Sequence, residues 1–512
     1  MADLATRPDV RAVYGPPGRY DRRRWWLPLA VLVVAAGVVA RFVAPAPLWL
    51  DEAQSVAISR LPLPDLFAAL REDGSPPLYY LLLHAWIALF GTGSFALRSL
   101  SGVFAVAALP LFALLTRRLG GGRTAMTVVV VLAATNPWLV RFASEVRMYS
   151  LMVLLVLVGA LAVDLVLRRP GPLPALGVAA SAAAVLYTHY WAMFLLATVG
   201  AGLVVAWVRT RRTGVLWALG GLIGGGLLFL PWLPTFLWQM KHTGTPWAAR
   251  PQLSQIPSLV NSWATAGSSK AAILPLLVWP LTVVGAVLPL LRPTPRRTVL
   301  SPPVLGAIGA GTIAVAYSMS WLSHAALVTR YTAVVVPFAV VLLAFGVVAL
   351  PNRYAALALI VIVAASLLVD RGITRTYRTQ AAQIAAVLDT QAKPGDQVIF
   401  CPDQLAPDTV RLTHTRAHLI TYPAQADPGR LDWTDYKQRI EAVSPHDVAN
   451  AAAGAVPRGG HVFVVYGSGY APFGSRCEQM FTTLSADLGN PKPVLLGRTR
   501  LWEHGWVWRW TR

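Results

Sequence analysis

Between residues 25 and 369 this chain carries only seven carboxylates: Asp51, Glu52, Asp65, Glu72, Asp73, Glu145 and Asp164. Five of them fall within residues 45–95, a stretch that opens PAPLWLDEAQSVAISRLPLP and closes REDGSPPLYYLLLHAW. Side chains of this type take up protons, hold hydroxyls, or stabilise the start of a helix. Asp51 and Glu52 follow Leu-Trp-Leu and precede a helix-like run, 53–60, where acids are favourable near the N-terminus. Capping would account for an isolated pair. Here Pro76–Pro77 also fixes the entry to a further helix beside Asp73, so three carboxylates are confined to one short region.

The basic residues within reach of chemistry sit at the ends of apolar runs. Arg98 opens one run, Arg141 and Arg147 lie in NPWLVRFASEVRMYS, His189 in THYW, and His324 and Arg330 in SHAALVTRY. A guanidinium presents a planar fork of donors that matches a phosphate, which suits it to a headgroup phosphate at an apolar boundary. Arg147 and Arg330 are flanked by Tyr149 and Tyr331 and stand tight against run ends, which favours a site over a lipid anchor. Arg60 and Arg250 read as snorkelling anchors. A lone histidine at such a turn is more often a structural hydrogen-bonder, and that applies to His84, His189 and His324. Trp232, Trp238, Trp247 and Trp263 fit an interfacial belt better than sugar-stacking platforms.

The frame that must position these groups follows from composition. A soluble domain has roughly 25% charged residues. This chain of 512 residues has 13%, with 55% apolar residues and a mean hydropathy of +0.54. With 40 Gly, 39 Pro and two Cys, it is neither collagen-like, disordered nor a disulfide scaffold. It reads as a polytopic α-helical membrane protein. The net charge of +21 lies in short clusters between apolar runs, not on one aromatic-studded face, which argues against nucleic acid.

Eleven spans are expected: 26–44, 96–116, 124–140, 150–167, 173–189, 191–208, 214–231, 272–291, 302–322, 331–350 and 354–370. Basic clusters at Arg22–Arg24, Arg117/Arg118/Arg123, Arg168/Arg169, Arg209/Arg211/Arg212, Arg292/Arg296/Arg297 and Arg353 fall at every second junction. Facing them to the cytoplasm puts the N-terminus inside and the C-terminus outside a plasma membrane. The first five acids and Glu145 then lie outside and Asp164 inside. Residues 77–90 are too short to cross and are expected to lie along the outer interface, with Tyr79, Tyr80 and Trp86 at headgroup depth.

Three regions result: a cytoplasmic basic tail, 1–25, followed by a first span that reads as an uncleaved signal-anchor more readily than as a signal peptide cleaved near Ala40; a transmembrane domain, 26–370, whose first external loop, 45–95, bears the acids; and an extracytoplasmic α/β domain, 371–512. In the last, β-rich runs at 397–400, 418–422, 461–466 and 493–497 alternate with helix-like stretches at 378–391 and 475–488. Cys401 and Cys477 both fall there, and either a bridge or two thiols fits the sequence.

Several of these residues form a pattern that resembles the GT-C glycosyltransferases, in particular the branch of the protein O-mannosyltransferases and lipid A aminoarabinose transferases. The matching positions are Asp51–Glu52 in the first external loop, Pro76–Pro77–Leu78 opening a juxtamembrane helix, and Arg98 opening the second span. Val146–Arg147–Met148–Tyr149 follows the third span, and Arg330–Tyr331 precedes a span containing Pro337. The likeness covers roughly residues 26–350. Ser75 stands where many members have His or Lys, and Tyr149 stands where an acid is common.

The resemblance implies inverting sugar transfer from a polyprenyl-phosphate donor to an acceptor hydroxyl on the outer face. Asp51 would be the general base. Glu52, Asp73, Glu145, Tyr149 and His189 would meet acceptor or sugar, and Arg147, Arg330 and Arg98 the leaving phosphate. No cofactor is required on this reading, although Asp51–Glu52 also offers oxygen ligands to a divalent cation. Mannose or an arabinose-like pentose is the sugar expected, and a glycan, glycolipid or protein the acceptor. A lipid-linked sugar transporter or flippase is the alternative, weakened by the lack of charge in mid-span and of inverted repeats. A non-catalytic envelope assembly factor is another.

Overall fold

The computed structural model describes residues 26–244, 250–291, 300–323, 326–423 and 427–512. The basic tail, with Arg22–Arg24, lies outside the described residues, as do Trp247, Arg292, Arg296, Arg297 and His324. The chain divides into two compact units. The membrane unit holds the described residues up to Val43, with Ser101–Pro231 and Arg250–Thr374; the mixed unit holds Ala44–Leu100, Arg375–Arg512 and the described part of Trp232–Ala249. The acid-bearing loop therefore groups with the C-terminal α/β region, whereas sequence alone attaches it to the spans.

Seven helices among the described residues are long and apolar enough to cross a membrane, or eight if the bent pair Arg123–Thr135 and Pro137–Ala143 is one span. Three more expected spans are shorter apolar helices, Trp26–Ala40, Pro172–Leu186 and Val336–Ala349. The chain is a multi-pass membrane protein. The 55° bend has a local cause. Pro137 has no N–H to donate to the Ala133 carbonyl one turn back. Arg41, itself buried, supplies donors in its place, to Ala133 O at 2.6 Å and Ala134 O at 2.5 Å. Elsewhere in this unit two glycines let backbones meet. A Cβ at Gly285 would stand 1.9 Å from Leu342 O, and one at Gly346 1.8 Å from Leu281 O. Only Gly permits helices Ile273–Leu291 and Val336–Ala349 to pack this closely.

In the mixed unit a five-stranded sheet runs in the order β2-β1-β3-β5-β4. Its strands are β1 (Gln397–Cys401), β2 (His418–Thr421), β3 (His461–Tyr466), β4 (Lys492–Leu495) and β5 (Trp506–Thr511). β1 pairs in parallel with β2 and β3, while β5 is antiparallel to β3 and β4. Four strands coincide with the β-rich runs. The fifth, WVWRWT, is masked in the sequence because aromatic residues hide its alternation. Cys401 and Cys477 are bridged, tying the end of β1 to the helix Arg476–Leu488.

The first loop forms helices Leu50–Ser59, Leu63–Asp73 and Leu78–Phe90, followed by the start of Ser94–Arg118. The short helix Leu78–Phe90 departs from expectation in one respect. Tyr79 and Tyr80 are fully buried, not set at headgroup depth, because that face turns inward and the Tyr80 hydroxyl donates to Asp73 at 3.0 Å. Its exposed end is Leu89 and Phe90, and Trp86 packs against Phe90 at 4.2 Å.

Candidate functional site

The functional candidates fall into two clusters, one in each unit. In the mixed unit, Asp51 and Glu52 occupy the first turn of Leu50–Ser59 but differ in setting. Glu52 is fully buried. Its oxygens accept from Arg98 Nε at 2.8 Å and Arg98 Nη2 at 2.6 Å, and from the Trp49 amide at 3.3 Å. Asp51 is half-buried. Arg98 spends its remaining donors on the carbonyls of Ala44 (2.9 Å), Ala46 (2.6 Å) and Pro47 (3.1 Å). All five N–H groups of a guanidinium are thus engaged by protein acceptors. Arg98 holds Glu52 and the loop before it, in place of the phosphate contact that sequence suggests. Glu52 caps and braces the helix, in place of an acceptor contact.

Asp73, also half-buried, accepts from Gln54 Nε2 and from the Tyr80 hydroxyl, both at 3.0 Å. His84 Nδ1 lies 2.8 Å from the Ser59 carbonyl, a structural bond. Three polar residues in this region escape sequence reasoning. Gln54, 3% exposed, clasps the backbone of Leu431. Glu503 accepts from the Leu50 amide. Arg430 pairs with Glu72 at 2.6 Å. Each joins positions hundreds of residues apart, and no local pattern marks them.

In the membrane unit, the turn before Tyr149–Arg168, the turn Tyr187–Trp191 and the 3₁₀ segment Thr329–Val334 bring cations and rings together. His189 packs against Tyr331 at 4.8 Å and Tyr149 at 6.1 Å, and Trp191 against Tyr331 at 5.8 Å. The Arg330 guanidinium lies 5.7 Å from the Tyr331 ring centroid. Arg147 and Arg330 are half-buried. His189 Nδ1 accepts from the Trp191 amide at 3.2 Å, which leaves its proton on Nε2. Burial first, then the charges of Arg147 and Arg330, push the His189 imidazole down to about 3. It is therefore a neutral donor between two fixed cations, a setting receptive to an anion.

Glu145 and Tyr149 are each 1% exposed. Glu145 pairs with Arg141 at 3.6 Å, and Tyr149 stacks edge-on to Phe142 at 4.9 Å. Both lie inside the protein beside the cluster. Trp263 is likewise buried, donating to Thr332 Oγ1 at 2.8 Å, and Trp232 is buried too, so neither forms a lipid-facing belt. The same unit contains a narrow apolar cavity of about 70 Å³, whose lining includes Val156, Val178, Leu195, Val199, Leu305 and Phe338.

No protein-family model matches the chain, and no curated protein does. Solved structures do. ArnT from Cupriavidus metallidurans bound to undecaprenyl phosphate is 14% identical, with a TM-score of 0.58, over 95% of this chain and 98% of that one. The arabinofuranosyltransferase AftD from Mycobacteria is 13% identical, with a TM-score of 0.55, over 96% of this chain and 40% of that one. The archaeal oligosaccharyltransferase AglB from Archaeoglobus fulgidus, in complex with an inhibitory peptide and a dolichol-phosphate, is 12% identical, with a TM-score of 0.52, over 87% and 70%. The chain has the GT-C fold.

Proposed function

We propose that the chain is a membrane glycosyltransferase that moves a sugar from a polyprenyl-phosphate donor to an acceptor hydroxyl, with inversion, on the outer face of the plasma membrane. The observation that carries this reading is the unequal treatment of two adjacent acids. Glu52 is buried in the grip of Arg98, and Asp51 stays half-exposed one residue away. The two neighbours thus differ in burial, and the more exposed carboxylate is the one we assign to the acceptor proton.

In the reaction, Asp51 takes the proton of the acceptor hydroxyl. The freed oxygen pair attacks the anomeric carbon, and the bond from that carbon to the phosphate oxygen breaks. Its electrons leave on the lipid phosphate, whose growing charge Arg147 and Arg330 offset, with the His189 Nε2–H as a neutral donor. Asp73 and its partners Gln54 and Tyr80 suit a hydroxyl of acceptor or sugar. Mannose or an arabinose-like pentose, and a glycan, glycolipid or protein acceptor, are the choices to screen.

The test is transfer by purified protein in lipid nanodiscs from labelled polyprenyl-phosphate mannose and polyprenyl-phosphate arabinose. Asp51→Asn is expected to lose about 100- to 10,000-fold in rate, the range of general base catalysis, with folding intact. Donor movement across a bilayer without a new glycosidic bond would instead identify a flippase.

A further inference from the structure

The helix that carries Asp51 is held by two points far along the chain, both in the same unit. Its first amide, Leu50 N–H, donates to the two oxygens of Glu503 at 3.1 and 3.2 Å. Half a helix further on, Gln54 Oε1 accepts from the Leu431 amide and Gln54 Nε2 donates to the Leu431 carbonyl, both at 2.8 Å. Trp49, Leu50 and Leu431 pack together over these bonds.

Glu503 is itself fixed on every side. Its backbone N–H donates to Arg378 O at 2.9 Å, and its carbonyl accepts from the Gln380 amide at 3.0 Å. Its carboxyl lies beside that of Asp408, which accepts from Thr379 Oγ1 at 2.6 Å and the Thr409 amide at 2.9 Å. Both acids are at most 3% exposed. Burying two carboxyls against each other costs stability that apolar residues of the same volume would not. Stability therefore does not explain the pair, whereas its target does. A helix N-terminus leaves four amides without intrahelical partners, and an acid in the first turn is normally drawn to them. Glu52 serves the Trp49 amide and Glu503 the Leu50 amide, so two acids other than Asp51 do this capping.

We infer that Glu503, seated on Asp408, is a positioning residue for the transfer reaction: it fixes the start of the Leu50–Ser59 helix so that the Asp51 carboxylate is held in its working place. This rests on Asp51 being the base. The C-terminal α/β region is then part of the catalytic centre, acting through the helix it grips. Burial and the adjacent Asp408 push the Glu503 carboxyl well above its usual range, and burial raises Asp408 as well.

The experiment uses the full chain in nanodiscs, with polyprenyl-phosphate mannose and arabinose as donors and hydrogen exchange at the amides of residues 50–54 as a second readout. Glu503→Ala is expected to lower kcat by about 10- to 100-fold, the cost of a misplaced catalytic group. KM for the donor should stay within about twofold, because no donor contact is lost. Exchange at those amides should rise. Glu503→Gln, which keeps an acceptor for Leu50 and gains a donor toward Asp408, is expected to recover most of the rate and the protection.

Should Glu503→Ala fail to fold, Leu50→Pro tests the same bond from the other side. It removes the N–H at the first helical position, where proline is tolerated, after an extended Trp49 (ψ 173°) that suits a following proline. Full kcat in the Ala or Pro variant, or unchanged exchange, overturns the inference. So does a loss in Glu503→Gln equal to that in Glu503→Ala. Full activity in Asp51→Asn overturns the base assignment, and the inference with it. A dead Asp51→Asn beside a fully active Glu503→Ala overturns the inference alone.

Discussion

In the mixed unit the groups of interest are acids, each tied to a partner whose identity depends on long-range folding: Glu52 to Arg98, Asp73 to Gln54 and Tyr80, Glu503 to Asp408 and Leu50. In the membrane unit they are cations set among rings, with a histidine held neutral between them. Burial works on both, but in opposite directions, because it disfavours charge of either sign. The Glu503 and Asp408 carboxyls in one unit are raised, and the His189 imidazole in the other is lowered. The lesson is one of division. On the proposed reading a proton acceptor and an anion receptor need opposite electrostatic settings, and the residues put forward for them fall in separate compact units.

The comparison is most exposed to attack at the cations. Arg147→Gln and Arg330→Gln are each expected to lower kcat by about 100- to 1,000-fold, the usual cost of one charge-stabilising donor. Lys at either position should recover only part, because an ammonium lacks the planar fork. The comparison breaks if both Gln variants transfer sugar at the normal rate while Asp51→Asn does not. The acids alone would then carry the chemistry.

A second test separates bracing from chemistry within the mixed unit. Arg98→Met leaves the Glu52 carboxylate buried without its partner, and one broken buried pair costs about 3–5 kcal/mol. Unfolding of the detergent-solubilised protein should show that loss. The double variant Arg98→Met, Glu52→Leu should regain a large part, since no uncompensated charge remains. If Arg98→Met leaves stability unchanged yet abolishes donor binding, Arg98 belongs with the phosphate ligands after all.

These outcomes bear on what a sequence can disclose. Scarcity made the acids legible: with so few carboxylates before residue 370, their gathering in 45–95 stands out. Four of the five strands and the apolar helical segments follow from local pattern, which needs no knowledge of distant partners. What each acid does is another matter. Asp51 and Glu52 are neighbours of the same chemical class, and only the fold, by sending Arg98 to one of them, makes them unequal. Glu503 is a lone acid in a polar tail, and nothing about EHGW signals that it reaches Leu50. The orientation of Tyr79 and Tyr80 was equally invisible, because the residue type is the same for a headgroup anchor and for a buried hydroxyl donor.

The smallest effects, and the sharpest for the contrast, lie in the pH dependence of stability. His189 is held at about 3 in the folded chain against roughly 6.5 when unfolded. Between those values the unfolded state binds the proton and the folded state does not, so stability falls as pH drops below about 6.5, by about 1.4 kcal/mol per pH unit. Glu503 is raised, so the folded state keeps a proton that the unfolded state releases near 4.5. Its contribution is complete at low pH and is lost as pH rises above that value. His189→Gln should therefore flatten the acid limb of a Tm-against-pH curve, and Glu503→Gln the limb toward neutral pH. Each substitution should leave the other limb in place, because the two groups titrate in separate units. A His189→Gln protein that keeps its full acid-side loss would mean the imidazole is protonated in the folded chain, and the anion receptor would then carry a third charge instead of a neutral donor.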